Sequence, residues 1–151
     1  LSELDNPKIT SKLGFLVSKG CEAYAKNLCA KYDVRKQSLS QPARLLSGGN
    51  VQKLLIGRWL ERNPDVIIAC QPTRGLDEGA IAAVHSMLIE AKLNQKAVLF
   101  VTEDLDELLL ISDKISVMYN GSLTTPRTQK QLEKREIGLM MTGAQLEEVL
   151  L

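Results

Sequence analysis

The stretch Val66-Ile67-Ile68-Ala69-Cys70-Gln71-Pro72-Thr73-Arg74-Gly75-Leu76-Asp77 decides the predicted fold. It opens with an uninterrupted apolar run, which is typical of a strand buried on both faces of a parallel sheet. Residues 72–75 follow as a loop, since proline and glycine lie close together there. Because ligands of open α/β sheets bind at the carboxyl ends of strands, this loop is a candidate site.

The residues around that strand alternate between helical and strand patterns. The apolar spacing therefore predicts an α/β fold with a mostly parallel sheet, an antiparallel edge and a helical subdomain at the N-terminus. This order of elements predicts three regions: a helical subdomain at 1–64, an α/β core at 65–127 and a helical tail at 128–151. The predicted elements are a helix from Lys19, a helix from Ser47 to about Arg62, a helix over 78–92, a strand over 97–102, a helix over 104–111 and a hairpin strand over 115–119 that turns at Asn120-Gly121.

The composition excludes several classes of protein. The 151 residues carry 19 Lys and Arg against 18 Asp and Glu, a net charge of +1. A strongly basic surface for nucleic acid is not expected. No apolar run reaches the roughly 18–20 residues that span a bilayer. The three cysteines lack the spacing of a metal site, which favours a reduced, cytosolic setting and no bound metal.

The segment Leu46–Lys53 has the chemistry of a phosphate-binding loop. Gly48 and Gly49 at a helix start let a ligand approach the backbone closely. The first turn of a helix offers unpaired N–H groups and the positive end of the helix dipole. Ser47 adds a hydroxyl group. Taken alone, this pattern is also typical of an ordinary helix cap.

Leu46–Gln52 resembles the signature motif of ABC-transporter ATPases, LSGGQ, here in the form LSGGN followed by glutamine. About fifteen residues later comes a strand like the Walker B strand of that family, then a loop like its D-loop. Residues 71–81 and the tail 134–141 look most like the second ATPase half of the fused ATP-binding subunits that serve simple-sugar and nucleoside importers. The resemblance covers roughly residues 12–143.

The resemblance implies that the signature loop completes the ATP site of the partner half, whose P-loop lies in the N-terminal half of the same subunit. It implies ATP and Mg²⁺ as cofactors of the full-length protein, transmembrane permease subunits as partners, and a place on the cytoplasmic face of the membrane. The residues carried over are Ser47, Gly48, Gly49, Asn50 and Gln52 for ATP binding in trans, and Arg74, Gly75, Leu76 and Asp77 for the D-loop.

Three positions depart from the family pattern. Cys70 stands where the family has the magnesium-side Asp, Gln71 where it has the catalytic Glu, and Glu103 where it has the switch His. A thiol is a poor ligand for a hard cation, and a neutral amide cannot act as a general base. A carboxylate in place of the histidine puts an anion near the γ-phosphate. We therefore expect the site on this half's own strands to be degenerate and to hydrolyse ATP poorly.

The 151 residues contain no Gly-x4-Gly-Lys-Ser/Thr loop. In the family, that loop and the glutamine loop lie upstream of the helical subdomain. We expect the chain to begin just after both of them, as the C-terminal part of one nucleotide-binding domain. The parent protein would be an ATPase, whereas the isolated chain would be inactive and hold no nucleotide tightly. The alternative interpretation is a non-catalytic interaction or regulatory domain derived from an ABC ATPase. A soluble ABC-type ATPase of translation or DNA repair fits residues 72–77 and the tail less well.

Overall fold

The computed structural model describes residues 9–10 and 15–144. These residues fall into two compact units. The helical unit comprises the described residues up to Asp65 together with Thr73–Lys96, and the strand unit comprises Val66–Pro72 and the described residues from Ala97 onward. The helices are α1 Ser18–Lys31, α2 Gly48–Leu60, α3 Glu78–Leu93, α4 Leu105–Ile111 and α5 Lys134–Met141. The strands are β1 Val66–Cys70, β2 Ala97–Val101, β3 Lys114–Ile115, β4 Met118–Tyr119, β5 Ser122–Leu123 and β6 Arg127–Thr128.

The helical unit packs α2 against both α1 and α3. Gly57 permits the close contact with the end of α1, since a Cβ there would lie 2.5 Å from the Tyr32 ring. Asp77 caps α3, with its Oδ1 accepting a hydrogen bond from the Ala80 N–H at 2.8 Å. The buried apolar residues of this unit include Leu28, Cys29, Val34, Val84, Met87 and Leu88.

The strand unit contains the parallel pair that the sequence predicts. β1 and β2 pair in parallel from Val66 opposite Ala97 to Cys70 opposite Val101. β4 and β5 form the predicted antiparallel hairpin, turned by Asn120 and Gly121 at φ 46° and 80°. The core of this unit joins α5 to the region of β3 and β4 through Ile115, Val117, Leu132, Ile137 and Met140.

Burial of the parallel pair differs from the prediction. Val66 and Ile68 of β1 are 61% and 70% exposed, and Leu99 of β2 is 56% exposed. The two strands alternate between exposed and half-buried residues instead of being buried throughout. An apolar run signals a strand that is covered on both sides, but the part of the chain that the structure describes leaves one face of this pair open.

The predicted strand over 115–119 was wrong as a single element. It divides into β3 and β4, and these pair with different partners, β6 and β5 respectively. The pairings form three separate two-stranded sheets among the described residues. None of the helices described here is long and apolar enough to cross a membrane.

Candidate functional site

The segment Leu46–Gln52, which the sequence predicts to be the signature loop, spans the N-terminal end of α2 and the two residues before it. Ser47 has the extended backbone of an N-cap residue, with φ −64° and ψ 157°, as the sequence predicts. Its side chain makes no capping hydrogen bond to the helix. The N–H groups of the first turn therefore keep their capacity to donate, at the positive end of the helix dipole. Both Ser47 and Gly48 are exposed, so this start of α2 is accessible to a ligand.

Asn50 forms hydrogen bonds that join the start of α2 to the connector, the segment between α1 and α2. Its Oδ1 accepts a hydrogen bond from the Arg35 backbone N–H at 2.7 Å, and its Nδ2 donates to Ser47 Oγ at 2.8 Å. Lys53, one turn further along α2, donates to the carbonyl oxygen and the carboxylate of Asp33 at 3.1 and 3.0 Å. The hydrogen bond and charge of Lys53 lower the pKa of the exposed Asp33 carboxyl.

The two glycines of the loop have different surroundings. A Cβ added at Gly49 would lie 2.6 Å from the Ala80 Cβ in the first turn of α3. A Cβ added at Gly48 would meet only Leu76 Cδ2, at an ordinary contact distance of 3.7 Å. Gly49 is therefore required by the packing of α2 on α3, whereas a side-chain methyl group would fit at Gly48. Sequence reasoning assigned both glycines to ligand approach and missed the role of Ala80.

The D-loop, Arg74–Asp77, lies in the same unit as the signature loop. The Leu76 N–H donates to the Thr73 carbonyl at 3.1 Å, and Gly75 adopts φ +74° at the turn. Arg74 and Gly75 are exposed, whereas Asp77 serves as the cap of α3. Leu76 Cδ2 lies 3.7 Å from the position that a Cβ would take at Gly48, so residues 74–77 lie beside the start of α2. Gln52 is half-buried on α2.

The three departing positions lie at or just beyond the carboxyl ends of β1 and β2. Cys70 is exposed and lies opposite Val101, and the Gln71 N–H donates to the Val101 carbonyl at 2.8 Å. Glu103 is exposed just beyond the end of β2. Gln71 has φ +49°, a left-handed conformation that residues other than glycine rarely adopt. The parallel register therefore brings these positions to the carboxyl end of the β1–β2 pair.

The carboxyl end of the β1–β2 pair does not suit Mg²⁺ binding. A thiol is a soft ligand, and Mg²⁺ prefers several oxygen ligands in octahedral arrangement. Among the described residues, no group of three or more His, Cys, Asp or Glu side chains could hold a metal ion. The acidic residues at the start of α4 have a structural role instead, since Asp104 Oδ1 accepts hydrogen bonds from the N–H groups of Asp106 and Glu107.

A solved structure of an ATP-binding cassette, a dimer bound to ADP and Pi after hydrolysis, superimposes on this chain with a TM-score of 0.65. The match covers 85% of this chain and 55% of that one, at 22% identity. The chain has the ABC ATPase fold. No family model matches its sequence.

Curated proteins that are similar in sequence to this chain confirm the resemblance to importer ATP-binding subunits. The chain is 42% identical over 138 residues to the nucleoside import ATP-binding protein NupA of Lactococcus lactis. It is 44% identical over 138 residues to the guanosine import ATP-binding protein NupO of Bacillus subtilis. Each alignment covers 91% of this chain and 27% of the relative. The chain therefore spans about a quarter of the length of these two relatives.

Within this fold, the structure brings the predicted residues together in two groups. The signature and D-loop residues share the helical unit, and Cys70, Gln71 and Glu103 share the strand unit. Sequence reasoning missed Arg35 as the anchor of Asn50. Arg35 lies just before the polar segment 36–44 of the connector, and this position in the sequence does not specify a contact.

Proposed function

We propose that this chain is the C-terminal part of an ABC importer's ATP-binding subunit, which energises uptake of nucleosides or simple sugars. The observation that carries this proposal is its identity of 42% and 44% to the two nucleoside import proteins, together with an intact signature loop. The partners of the full-length protein are its own N-terminal ATPase half and transmembrane permease subunits. The subunit would lie at the cytoplasmic face of the membrane and use ATP with Mg²⁺.

The signature loop supplies hydrogen-bond donors to ATP held by the N-terminal half. Three features support this role: the exposed Ser47 residue, the uncapped N–H groups of the first turn of α2 and the exposed Gly48, which has no side chain over its backbone. All of them favour an anion such as the terminal phosphate. The exposed Arg74 and Gly75 of the D-loop would face the same partner half.

The site on this half's own strands binds nucleotide or holds the two halves together, but contributes little hydrolysis. Gln71 cannot accept a proton from water as a carboxylate can, and Cys70 is unsuited to Mg²⁺. Glu103 would repel the γ-phosphate. The Mg²⁺ used in hydrolysis would therefore belong to the site of the N-terminal half.

The test is MgATP turnover of the full-length subunit assembled with its permease. Ser47→Ala is expected to lower turnover at least tenfold, because it removes a donor to the terminal phosphate. Ser86→Ala is the matched control, since the Ser86 hydroxyl only donates to the Ala82 carbonyl within α3. Turnover that Ser47→Ala leaves at the level of the control would contradict the proposal and favour a non-catalytic interaction domain.

Restoring the family residues at the three departing positions tests the degenerate site separately. The triple substitution Cys70→Asp, Gln71→Glu and Glu103→His is expected to raise total turnover of the full-length subunit, because it returns a magnesium ligand, a general base and a donor. Unchanged turnover, with normal unfolding behaviour, would show that the natural residues do not limit hydrolysis. The isolated chain is expected to give no detectable heat on titration with MgATP.

A further inference from the structure

We propose that Asn50 is a positioning residue that fixes the hydrogen-bond polarity of Ser47, so that the serine hydroxyl donates to an acceptor-only ligand. Such a ligand is a phosphoryl oxygen. This inference rests on the proposed function of the signature loop, and it changes the role of one predicted residue: Asn50 acts through Ser47 instead of binding ATP itself.

The orientation of the Asn50 amide is determined by the connector. The Arg35 backbone N–H can only donate, and it lies 2.7 Å from one end of the amide. That end must therefore be the oxygen, Oδ1, because two donors would repel each other. The nitrogen, Nδ2, is left facing Ser47 Oγ at 2.8 Å, and it can only donate.

Ser47 consequently has a defined polarity. Its hydroxyl oxygen accepts from Asn50, so its own proton must point elsewhere. The Ser47 side chain makes no capping hydrogen bond to a backbone N–H of α2. The hydroxyl proton and the first-turn N–H groups of α2 are thus available as donors, while Asn50 already occupies one of the two lone pairs of the hydroxyl oxygen. A phosphoryl oxygen, which only accepts, matches these donors, whereas an ammonium group, which only donates, does not.

The anchor of Asn50 is itself held in place. Lys53 binds both the carbonyl oxygen and the carboxylate of Asp33, two residues before Arg35. These bonds attach the connector to the first two turns of α2, so the Arg35 N–H is held where Asn50 can reach it. The polarity of Ser47 thus depends on a chain of contacts that begins outside the signature loop.

Asn50→Asp tests the polarity directly in the full-length subunit. Aspartate has nearly the same shape and can still accept from the Arg35 N–H, but it replaces the donor facing Ser47 with an acceptor. The Ser47 proton then turns toward the new carboxylate and away from the phosphate. We expect kcat/KM for MgATP to fall at least tenfold. Gln37→Glu, the same amide-to-carboxylate change on an exposed connector residue, is expected to leave it within twofold.

A double-mutant cycle with Ser47→Ala and Asn50→Ala separates positioning from structural support. If Asn50 acts through the serine hydroxyl, each single substitution lowers kcat/KM, and the double variant loses little beyond Ser47→Ala alone. Independent, multiplying losses would overturn the inference, as would a full effect of Asn50→Asp in the Ser47→Ala background, which would indicate charge repulsion alone. Thermal unfolding of each variant checks that the fold is retained.

The outcomes distinguish this inference from the function on which it rests. If Ser47→Ala has no effect on turnover, the proposed function itself fails. If Ser47→Ala lowers turnover but Asn50→Asp and Asn50→Ala do not, the proposed function stands and only the role of Asn50 is wrong.

Discussion

The start of α2 and the carboxyl ends of β1 and β2 differ in how their polar residues are held. At the start of α2, Ser47, Asn50 and Arg35 are joined by hydrogen bonds, and Gly49 lies against Ala80. At the strand ends, the side chains of Cys70, Gln71 and Glu103 make no hydrogen bond within the part of the chain that the structure describes. The comparison shows that a regular backbone does not by itself fix the side chains of a site. The register of β1 and β2 is regular, but no hydrogen bond among the described residues holds the side chains at their carboxyl ends.

The largest expected effect concerns the core of the strand unit. Ile137 has 0% exposure, and Ile137→Ala should destabilise this unit by about 2–5 kcal/mol, through lost burial and the cavity left behind. Urea unfolding measures the change. Leu110→Ala, at a residue 73% exposed on α4, is the control and should cost far less. Equal losses of stability in the two variants would show that the packing of α5 does not stabilise the strand unit.

Overpacking at the start of α2 should have the next largest effect. Gly49→Ala brings a methyl group against Ala80 and is expected to cost about 1–3 kcal/mol in the free energy of unfolding. Gly48→Ala, with room for its methyl group, should change stability by about 1 kcal/mol or less. Chemical denaturation of the two variants compares them. If Gly48→Ala proved the more destabilising, the assignment of separate roles to the two glycines would be wrong.

Relief of backbone strain at the strand end should be smaller and of opposite sign. Gln71→Gly removes the cost of a side chain at φ +49°, so we expect stabilisation of about 1 kcal/mol or less after the added freedom of the unfolded chain. Cys70→Ala, at the neighbouring exposed position, should be close to neutral. Destabilisation by Gln71→Gly would mean that the glutamine side chain contributes contacts that outweigh the strain.

The smallest expected effect is a pH dependence at the connector. The pKa of Asp33 lies below its ordinary value of 3.8, chiefly because Lys53 donates a hydrogen bond to the carboxylate. A lowered pKa in the folded state stabilises the fold above pH 3.8, and this contribution disappears as the pH falls through the folded-state value. Asp33→Asn should therefore flatten the acid side of the stability profile slightly. In a Lys53→Met background the same substitution should change the acid side of the profile less, since only the weaker effect of the Arg35 charge on the Asp33 pKa remains.

Features set by neighbouring residues could be predicted from the sequence. The turn at Asn120-Gly121 follows from the ability of both residues to adopt positive φ. The start of α2 at Ser47 was also predicted correctly, although the Ser47 side chain makes no capping hydrogen bond. The order of signature loop, strand and D-loop also indicated the ABC ATPase fold, which the comparison with a solved cassette confirms. Roles in catalysis and nucleotide binding stay predictions until the variants are measured.

Only the tertiary structure decided which groups the distant parts of the chain bring together. The sequence does not reveal that Gly49 needs its small size for Ala80, or that the Asn50 amide is turned by the Arg35 N–H. Nor does it reveal that Val66 and Ile68 are exposed, because an apolar run records what a strand prefers and not whether a covering layer is present. Backbone conformation depends mainly on a residue and its neighbours. Burial and hydrogen-bond partners depend on residues far away in the chain.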